Sequence, residues 1–264
     1  MSLITPQIRD GVVARINPVA KLIAALLVSL ALLLSIDTVS AGVALGLEAM
    51  LLPWAGLSAR QFWLRTAPLW IAAPLAALTT VLYGNDSGQT LWSWGFVSIT
   101  QGSVALGLAI GLRVLAIGIP GIVLFATTDP TDLADGLAQV LRLPARFVLG
   151  GLAALRLVGL LLEDWRALGM ARRARGVGDG GGPVGTLRRL FSQAFALLVL
   201  SVRRGSKLAT AMEARGFGSD APRSWARPSR FATRDALLVA VGALVPAAAI
   251  AVSALLGSWQ FVLA

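Results

Sequence analysis

The stretch GSVALGLAIGLRVLAIGIPGIVLFAT, residues 102–127, determines the class of this fold. Its side chains are mainly apolar or small, and Arg113 is its one charged residue. A helix that crosses the hydrocarbon core of a bilayer needs roughly 20 consecutive, mainly apolar residues. The stretch therefore predicts a transmembrane helix, and with it an integral membrane protein.

Four further apolar runs complete the predicted membrane bundle. They are residues 19–36, 38–54, 66–82 and 236–264. Prolines inside such runs are compatible with spanning helices, because neighbouring helices can satisfy the backbone groups that a proline leaves free. The sequence thus predicts an all-α, polytopic membrane protein with about five transmembrane helices.

The composition supports this class and excludes several others. Of the 264 residues, 56% are hydrophobic and 14% are charged, whereas a soluble domain has about 25% charged residues. Such a chain has too little polar surface to fold in water, so the lipid bilayer must cover part of it. The chain has no Cys and no His, which removes the usual ligands for metals and for proton transfer. We therefore expect no metal site and no cofactor in this chain.

The distribution of basic residues predicts the orientation. The net charge is +10, and more than half of the 23 Lys and Arg residues fall between residues 142 and 215. Further arginines precede the first run and separate the second from the third, whereas Asp37 and residues 83–101 connect runs without any basic residue. If the spans alternate, every basic end lies on one side, which is the cytoplasm. The N-terminus is predicted inside and the C-terminus outside.

Residues 1–17 are mixed in polarity and do not resemble a cleavable signal peptide, so the first run should remain in the mature protein. The orientation also accounts for the excess positive charge without nucleic acid as a partner. Multi-pass insertion in the plasma membrane of a prokaryote is the expected location.

Residues 129–218 differ from the flanking sequence because their apolar runs are short or interrupted. Residues 147–162 contain Arg156, and residues 190–202 lie between arginines, so both are expected to form amphipathic helices at the interface or on a partner. A short helix should end before Pro144, and long helices should cover about 145–175 and 184–215. The predicted domains are spans 1–4 (1–128), cytoplasmic helices (129–218), a basic linker (219–235) and the last span (236–264).

The two long helices are predicted to end with the same pattern. Residues 171–178 are ARRARGVG and residues 211–218 are AMEARGFG. An arginine in the last turn complements the negative end of a helix, and a glycine adopts the left-handed conformation that stops it. One interpretation is two efficient helix stops; the other is a pair of docking ends. The candidate docking residues are Ala174, Arg175, Gly176, Ala214, Arg215 and Gly216.

With these motifs the sequence resembles the transmembrane T component of energy-coupling factor (ECF) transporters, the CbiQ/EcfT family. The two Ala-Arg-Gly ends carry the most specific part of the resemblance. The other matching features are Arg15-Ile16-Asn17-Pro18 with Lys21, Gly111-Leu112-Arg113, Thr127-Thr128-Asp129-Pro130, Arg156 and Glu163. The chain departs from the family at Asn17, where Asp is usual, and in the unusually glycine-rich loop after the first Ala-Arg-Gly.

The resemblance implies a coupling scaffold of an ABC importer for vitamins or transition metals. In that family two cytoplasmic ATPases bind ATP and Mg, and a small membrane-embedded S component binds the substrate. The T component joins them through two long crossing helices whose Ala-Arg-Gly ends sit in grooves on the ATPases. The transported substrate is then a property of the S component rather than of this chain.

Two other functions compete with the scaffold. The first is an autonomous permease that binds its own substrate, and the second is a membrane-embedded enzyme. The glycine-rich loop at 176–185 lacks the Gly-Lys-Ser/Thr ending that cradles phosphate, and acids are scarce, so no catalysis is expected. Glu48 and Arg113 fall near the middle of their spans, where charges are costly. We expect them to form a structural pair in the bundle, with a substrate path as the alternative.

Overall fold

A computed structural model describes residues 13–84, 87–94, 97–176, 182–217, 219 and 224–259. In this part of the chain the fold is helical, with one short hairpin. The helices are α1 (Pro18–Leu33), α2 (Thr38–Leu51), α3 (Ala59–Tyr83), α4 (Gln101–Ala126), α5 (Pro130–Gln139), α6 (Ala145–Ala174), α7 (Gly182–Ala214) and α8 (Thr233–Leu255). Short 3-10 turns lie at Val13–Arg15 and Leu52–Ala55. The predicted all-α, polytopic membrane class is confirmed.

Four of the five predicted spans are confirmed as helices long and apolar enough to cross a membrane, and the described residues contain five such helices. They are α2 with its following turn, α3, α4, α6 and α8. The first predicted span forms a helix of only 16 residues, which is about 24 Å long against a hydrocarbon core of about 30 Å. Its place among the long apolar helices is taken by α6.

The amphipathic character expected for residues 147–162 is not found. Apolar residues lie on all sides of this part of α6, and no residue of the helix is buried. Arg156 interrupts the run of apolar residues but does not interrupt the helix. A helix that is apolar all round is suited to a surrounding of lipid or protein rather than to one wet face.

Helix α3 begins seven residues earlier than the predicted span because a capping box precedes it. The Ser58 hydroxyl accepts a hydrogen bond from the Gln61 N–H at 3.3 Å, and the Gln61 side chain accepts one from the Ser58 N–H at 3.3 Å. This reciprocal pair satisfies two backbone donors at the start of a helix.

An antiparallel hairpin that the sequence did not predict joins α3 to α4. Its strands are β1 (Thr90–Trp94) and β2 (Val97–Thr100). Thr90 pairs with Thr100 and Trp94 with Val97 in the register. Thr100 also caps α4, since its hydroxyl accepts the Ser103 N–H at 3.1 Å.

The chain divides into two compact units. The first contains residues 1–136 and 229–264, and the second contains residues 137–228. In the first unit, one apolar cluster joins α1, α2, α4 and α8, and a second joins α3 to α4. Glycine allows these helices to approach closely: a Cβ at Gly242 of α8 would lie 2.7 Å from the Ala24 Cα of α1. Such small-residue contacts are typical of helix packing in membranes.

The second unit contains α6 and α7, with 30 and 33 residues. At 1.5 Å per residue they are about 45 and 50 Å long. Each end of α6 and of α7 lies within two residues of its predicted position.

Candidate functional site

The two Ala-Arg-Gly ends have the same backbone geometry. At the end of α6, the Gly176 N–H donates to the Arg173 carbonyl at 2.9 Å, and Gly176 has φ +69°. At the end of α7, the Gly216 N–H donates to the Glu213 carbonyl at 2.9 Å, and Gly216 has φ +76°. A positive φ is costly for residues with a Cβ, so glycine is the residue that ends both helices at this point.

The six residues of the two ends are exposed. They are Ala174, Arg175, Gly176, Ala214, Arg215 and Gly216. Toward the rest of the described chain, the guanidinium groups of Arg175 and Arg215 make neither a hydrogen bond nor an ion pair. Each arginine therefore extends from the last turn of a long helix with its fork of donors available to a carboxylate or carbonyl of another molecule.

An ion pair and several hydrogen bonds hold α6 and α7 together. Asp164 of α6 accepts a forked pair from Arg204 of α7, with Nη2 to Oδ1 at 3.1 Å and a second, shorter contact from Nη1 to Oδ2. Gln193 donates from Nε2 to the Trp165 carbonyl at 2.6 Å. Arg172 donates from Nη2 to the carbonyl and hydroxyl of Ser192, both at 3.1 Å.

The ion pair is not apparent from the sequence. The basic partner of Asp164 is Arg204 of the same chain. The sequence separation of 40 residues explains why no local pattern indicated the pair.

A polar network ties α1 to α8 through Asn17. Its N–H donates to Asp235 Oδ1 at 2.7 Å, and its side-chain Nδ2 donates to the Ser229 hydroxyl at 3.0 Å. Its Oδ1 accepts the Val19 N–H at 2.9 Å and so caps α1. The amide side chain of Asn17 thus supplies both the acceptor for the cap and the donor for Ser229.

Lys21 connects the same end of α1 to α4. The side chain is 1% exposed, and its Nζ donates to the Thr127 carbonyl at 2.8 Å and to the Thr127 hydroxyl at 3.4 Å. It also interacts electrostatically with Asp132 and Asp235. Two separate motifs that carried the resemblance, the one around Asn17 and the one around Thr127, thus meet in one place.

A second buried polar cluster surrounds Asp37. In the sequence this residue appeared only as the short connection between the first two apolar runs. Its carboxylate accepts hydrogen bonds from the hydroxyls of Ser35, Ser40 and Ser253, and from the Ser40 N–H at 2.7 Å. Burial raises the pKa of Asp37, but the hydrogen bonds from Ser253, Ser35 and Ser40 outweigh it and hold the pKa below its usual value. The cluster joins α2 to the C-terminal part of α8, whose Ser253 is 216 residues away.

Glu48 and Arg113 do not form the predicted pair. Both carboxylate oxygens of Glu48 are buried without a hydrogen-bond partner, and so are Nε and Nη2 of Arg113. Arg113 interacts electrostatically with Asp37 instead. A position near the middle of a span fixes the approximate depth of a charge but not its direction around the helix, which explains the error.

The described residues contain no group of three or more His, Cys, Asp or Glu side chains that could hold a metal ion. The candidate functional site consists of the two exposed Ala-Arg-Gly ends.

Comparison with known proteins places these features in a family. Residues 10–224, which include both Ala-Arg-Gly ends, match the family described as cobalt transport protein, CbiQ. The chain belongs to the CbiQ family. The resemblance drawn from the motifs is confirmed at this level.

Three relatives of known name are transmembrane proteins of one transporter class. The chain is 31% identical over 212 residues to the energy-coupling factor transporter transmembrane protein EcfT of Limosilactobacillus fermentum, covering 74% of this chain and 79% of the relative. It is 31% identical over 242 residues to the EcfT protein of Heliobacterium modesticaldum, covering 88% and 90%. With the EcfT protein of Bacillus selenitireducens it shares 29% over 254 residues, 92% and 93% of the two chains. This member of the CbiQ family is accordingly a multi-pass transmembrane component of an energy-coupling factor transporter.

Proposed function

We propose that this chain is the energy-coupling scaffold of an ECF-type ABC importer. It transmits the ATP-driven motion of two cytoplasmic ATPases to a small S component that binds a vitamin or a transition metal. The observation that carries the proposal is the pair of exposed arginine ends with one shared backbone geometry. Two equal ends suit two ATPase subunits, one for each.

The contacts between α6 and α7 support the same role. A scaffold must pass movement from its docking ends to the rest of the complex, which requires the two helices to resist separation. The Arg204–Asp164 fork and the hydrogen bond from Gln193 to the Trp165 carbonyl join the helices through two points. Charge-assisted forks of this kind add geometric specificity to their energy.

The division of labour follows from this role. ATP and Mg bind to the partner ATPases, and this chain performs no catalysis and carries no cofactor. The N-terminus and the coupling helices (129–218) face the cytoplasm of a prokaryotic cell, and the C-terminus lies outside. These assignments rest on the one-sided distribution of basic residues and on family membership.

An autonomous permease is the second candidate, and one observation favours it. Glu48 and Arg113 are buried within membrane helices without hydrogen bonds at the atoms named above, and charges in such places often mark a substrate or ion path. A permease of this kind would transport its substrate without an S component.

Affinity purification of the tagged chain from its native membrane tests the two functions. The scaffold predicts co-purification of two ABC-type ATPase subunits and a small hydrophobic protein, with ATP hydrolysis by the complex and none by the isolated chain. Recovery of the chain alone, together with substrate uptake into vesicles that contain only this protein, would support the permease and contradict the scaffold.

A further inference from the structure

A basic cavity lies between α6 and α7 within the second unit. Its volume is about 720 Å³, and four arginines line it: Arg166, Arg172, Arg173 and Arg189. Among the described lining residues there is no acidic side chain. The guanidinium groups of Arg166, Arg172 and Arg173 share this space, and an anion in it would relieve their mutual repulsion.

The contacts between the two helices fix the floor of the cavity. Gln193 is 6% exposed and donates to the Trp165 carbonyl. Arg172 is oriented by its hydrogen bonds to the backbone of α7 at Arg189 and Ser192. Arg166 and Arg173 are exposed beside it. Arg172 is therefore positioned before any ligand arrives, which lowers the entropic cost of binding to it.

The cavity also lies where both helices change from apolar to basic. On α6 it follows the apolar run 147–162, and on α7 it precedes most of the run 190–202. The helices run in opposite directions here, since Arg172 contacts Ser192 whereas Asp164, earlier on α6, contacts Arg204, later on α7. The two apolar runs consequently extend on the same side of the cavity.

The apolar runs present uncovered side chains beside this basic space. On α6, Leu155, Val158 and Leu162 are 60%, 46% and 49% exposed. On α7, Phe191, Phe195 and Leu198 are 69%, 68% and 58% exposed. An anionic group next to an apolar surface is the arrangement of an amphiphile with a charged head and hydrocarbon tails. Trp165 borders the cavity, and tryptophan favours the level of lipid headgroups.

We propose that this cavity binds the phosphate headgroup of an anionic phospholipid whose acyl chains lie along the apolar runs of α6 and α7. Guanidinium groups match phosphate with forked hydrogen bonds, and clusters of basic residues at the edge of an apolar surface attract anionic lipids. The lipid would fix the spacing of the two long helices. This site goes beyond the scaffold function and does not depend on it.

The test is native mass spectrometry of the full chain titrated with phosphatidylglycerol and, separately, with phosphatidylcholine. The double variant Arg166→Gln, Arg173→Gln removes two exposed arginines of the cavity and leaves Arg172 with its structural contacts. Its matched control, Arg203→Gln with Lys207→Gln, removes the same charge from exposed positions of α7 outside the lining. The proposal predicts that wild type and control prefer phosphatidylglycerol, and that the cavity variant binds it at least about tenfold more weakly.

Three results would overturn the proposal. Equal loss in cavity variant and control would show that only overall charge matters. Complete displacement of the lipid by inorganic phosphate would assign the cavity to a soluble phosphate compound. Unchanged lipid binding by the cavity variant, with weakened recovery of the ATPases on pull-down, would assign the arginines to acidic side chains of a partner protein.

Discussion

At the scale of single residues, the similarity of Arg175 and Arg215 is the feature that most needs a functional explanation. A helix stop requires the glycine, and its positive φ is observed at both ends. The arginine is not required for the stop, because its side chain makes no hydrogen bond or ion pair within the described residues. Its planar fork of donors suits recognition of a carboxylate or of backbone carbonyls, which a lysine ammonium cannot reproduce.

Asp37 permits a prediction about stability. Asp37→Asn removes the negative charge that its three serine partners stabilise, and the free energy of unfolding should fall by about 1–3 kcal/mol at pH 7. Because the pKa of Asp37 is lowered in the folded protein, the charge contributes stability above the unfolded pKa of about 3.9. That contribution is lost as the pH falls through the lower, folded pKa.

Thermal unfolding in detergent from pH 7 down to pH 3 measures both effects. The difference in Tm between wild type and Asp37→Asn should shrink on acidification. Glu163→Gln, a change at an exposed position, is the control and should leave the free energy of unfolding within about 0.5 kcal/mol of wild type. An Asp37→Asn protein as stable as wild type at pH 7 would show that the cluster is not a stabilising contact.

At the scale of elements, the packing of α1 against α8 depends on one glycine. A Cβ at Gly242 would lie 2.7 Å from the Cα of Ala24 and 3.1 Å from its carbonyl oxygen, both backbone atoms that cannot rotate away. Gly242→Ala should therefore force the helices apart and cost about 1–3 kcal/mol of stability. Gly46→Ala is the matched control, because no atom lies within 4 Å of its added Cβ and alanine is the better helix former. Thermal unfolding should show a lower Tm for the first variant only, and equal Tm values would contradict the packing described.

The helices also show how much of the fold could be predicted from the sequence. Hydropathy and glycine stops predicted α4, α6 and α7 closely, because length and composition alone determine such helices. The early start of α3 was not predicted, although it could have been, since Ser58 and Gln61 have the spacing of a capping box. The hairpin at Thr90–Thr100 was missed because two strands of five and four residues carry little periodicity.

The side-chain partners were much less predictable than the helices. Asp37 bonds to Ser253, which is 216 residues away, and no spacing rule connects them. Glu48 and Arg113 were paired from their depth in the membrane, but a pair also requires the two helix faces to meet. The two Ala-Arg-Gly ends were identified because their pattern occurs twice, and repetition is visible without tertiary information.

At the scale of the whole molecule, the orientation remains a prediction that a simple experiment can test. Reporter fusions after Ala264 and within residues 180–182 should report opposite sides of the membrane, with the second in the cytoplasm. The physical reason is that basic connections stay on the cytoplasmic side. A fusion after residue 88, in the connection without basic residues, should behave like the one after Ala264. Reporters at Ala264 and 180–182 on the same side would refute the proposed orientation.

The central claim is that the two arginine ends couple ATP hydrolysis to transport. Uptake by cells that express the complete transporter, together with ATPase recovered on pull-down, tests it most directly. Arg175→Ala with Arg215→Ala should abolish uptake and weaken recovery of the ATPases, since each lost partner of a desolvated charge costs about 2–5 kcal/mol. Arg-to-Lys changes at both positions should restore uptake only in part, and Arg203→Ala, an exposed arginine of α7 outside the motif, should leave it unchanged. Normal uptake by the double alanine variant at normal expression would contradict the account and show that both ends only stop helices.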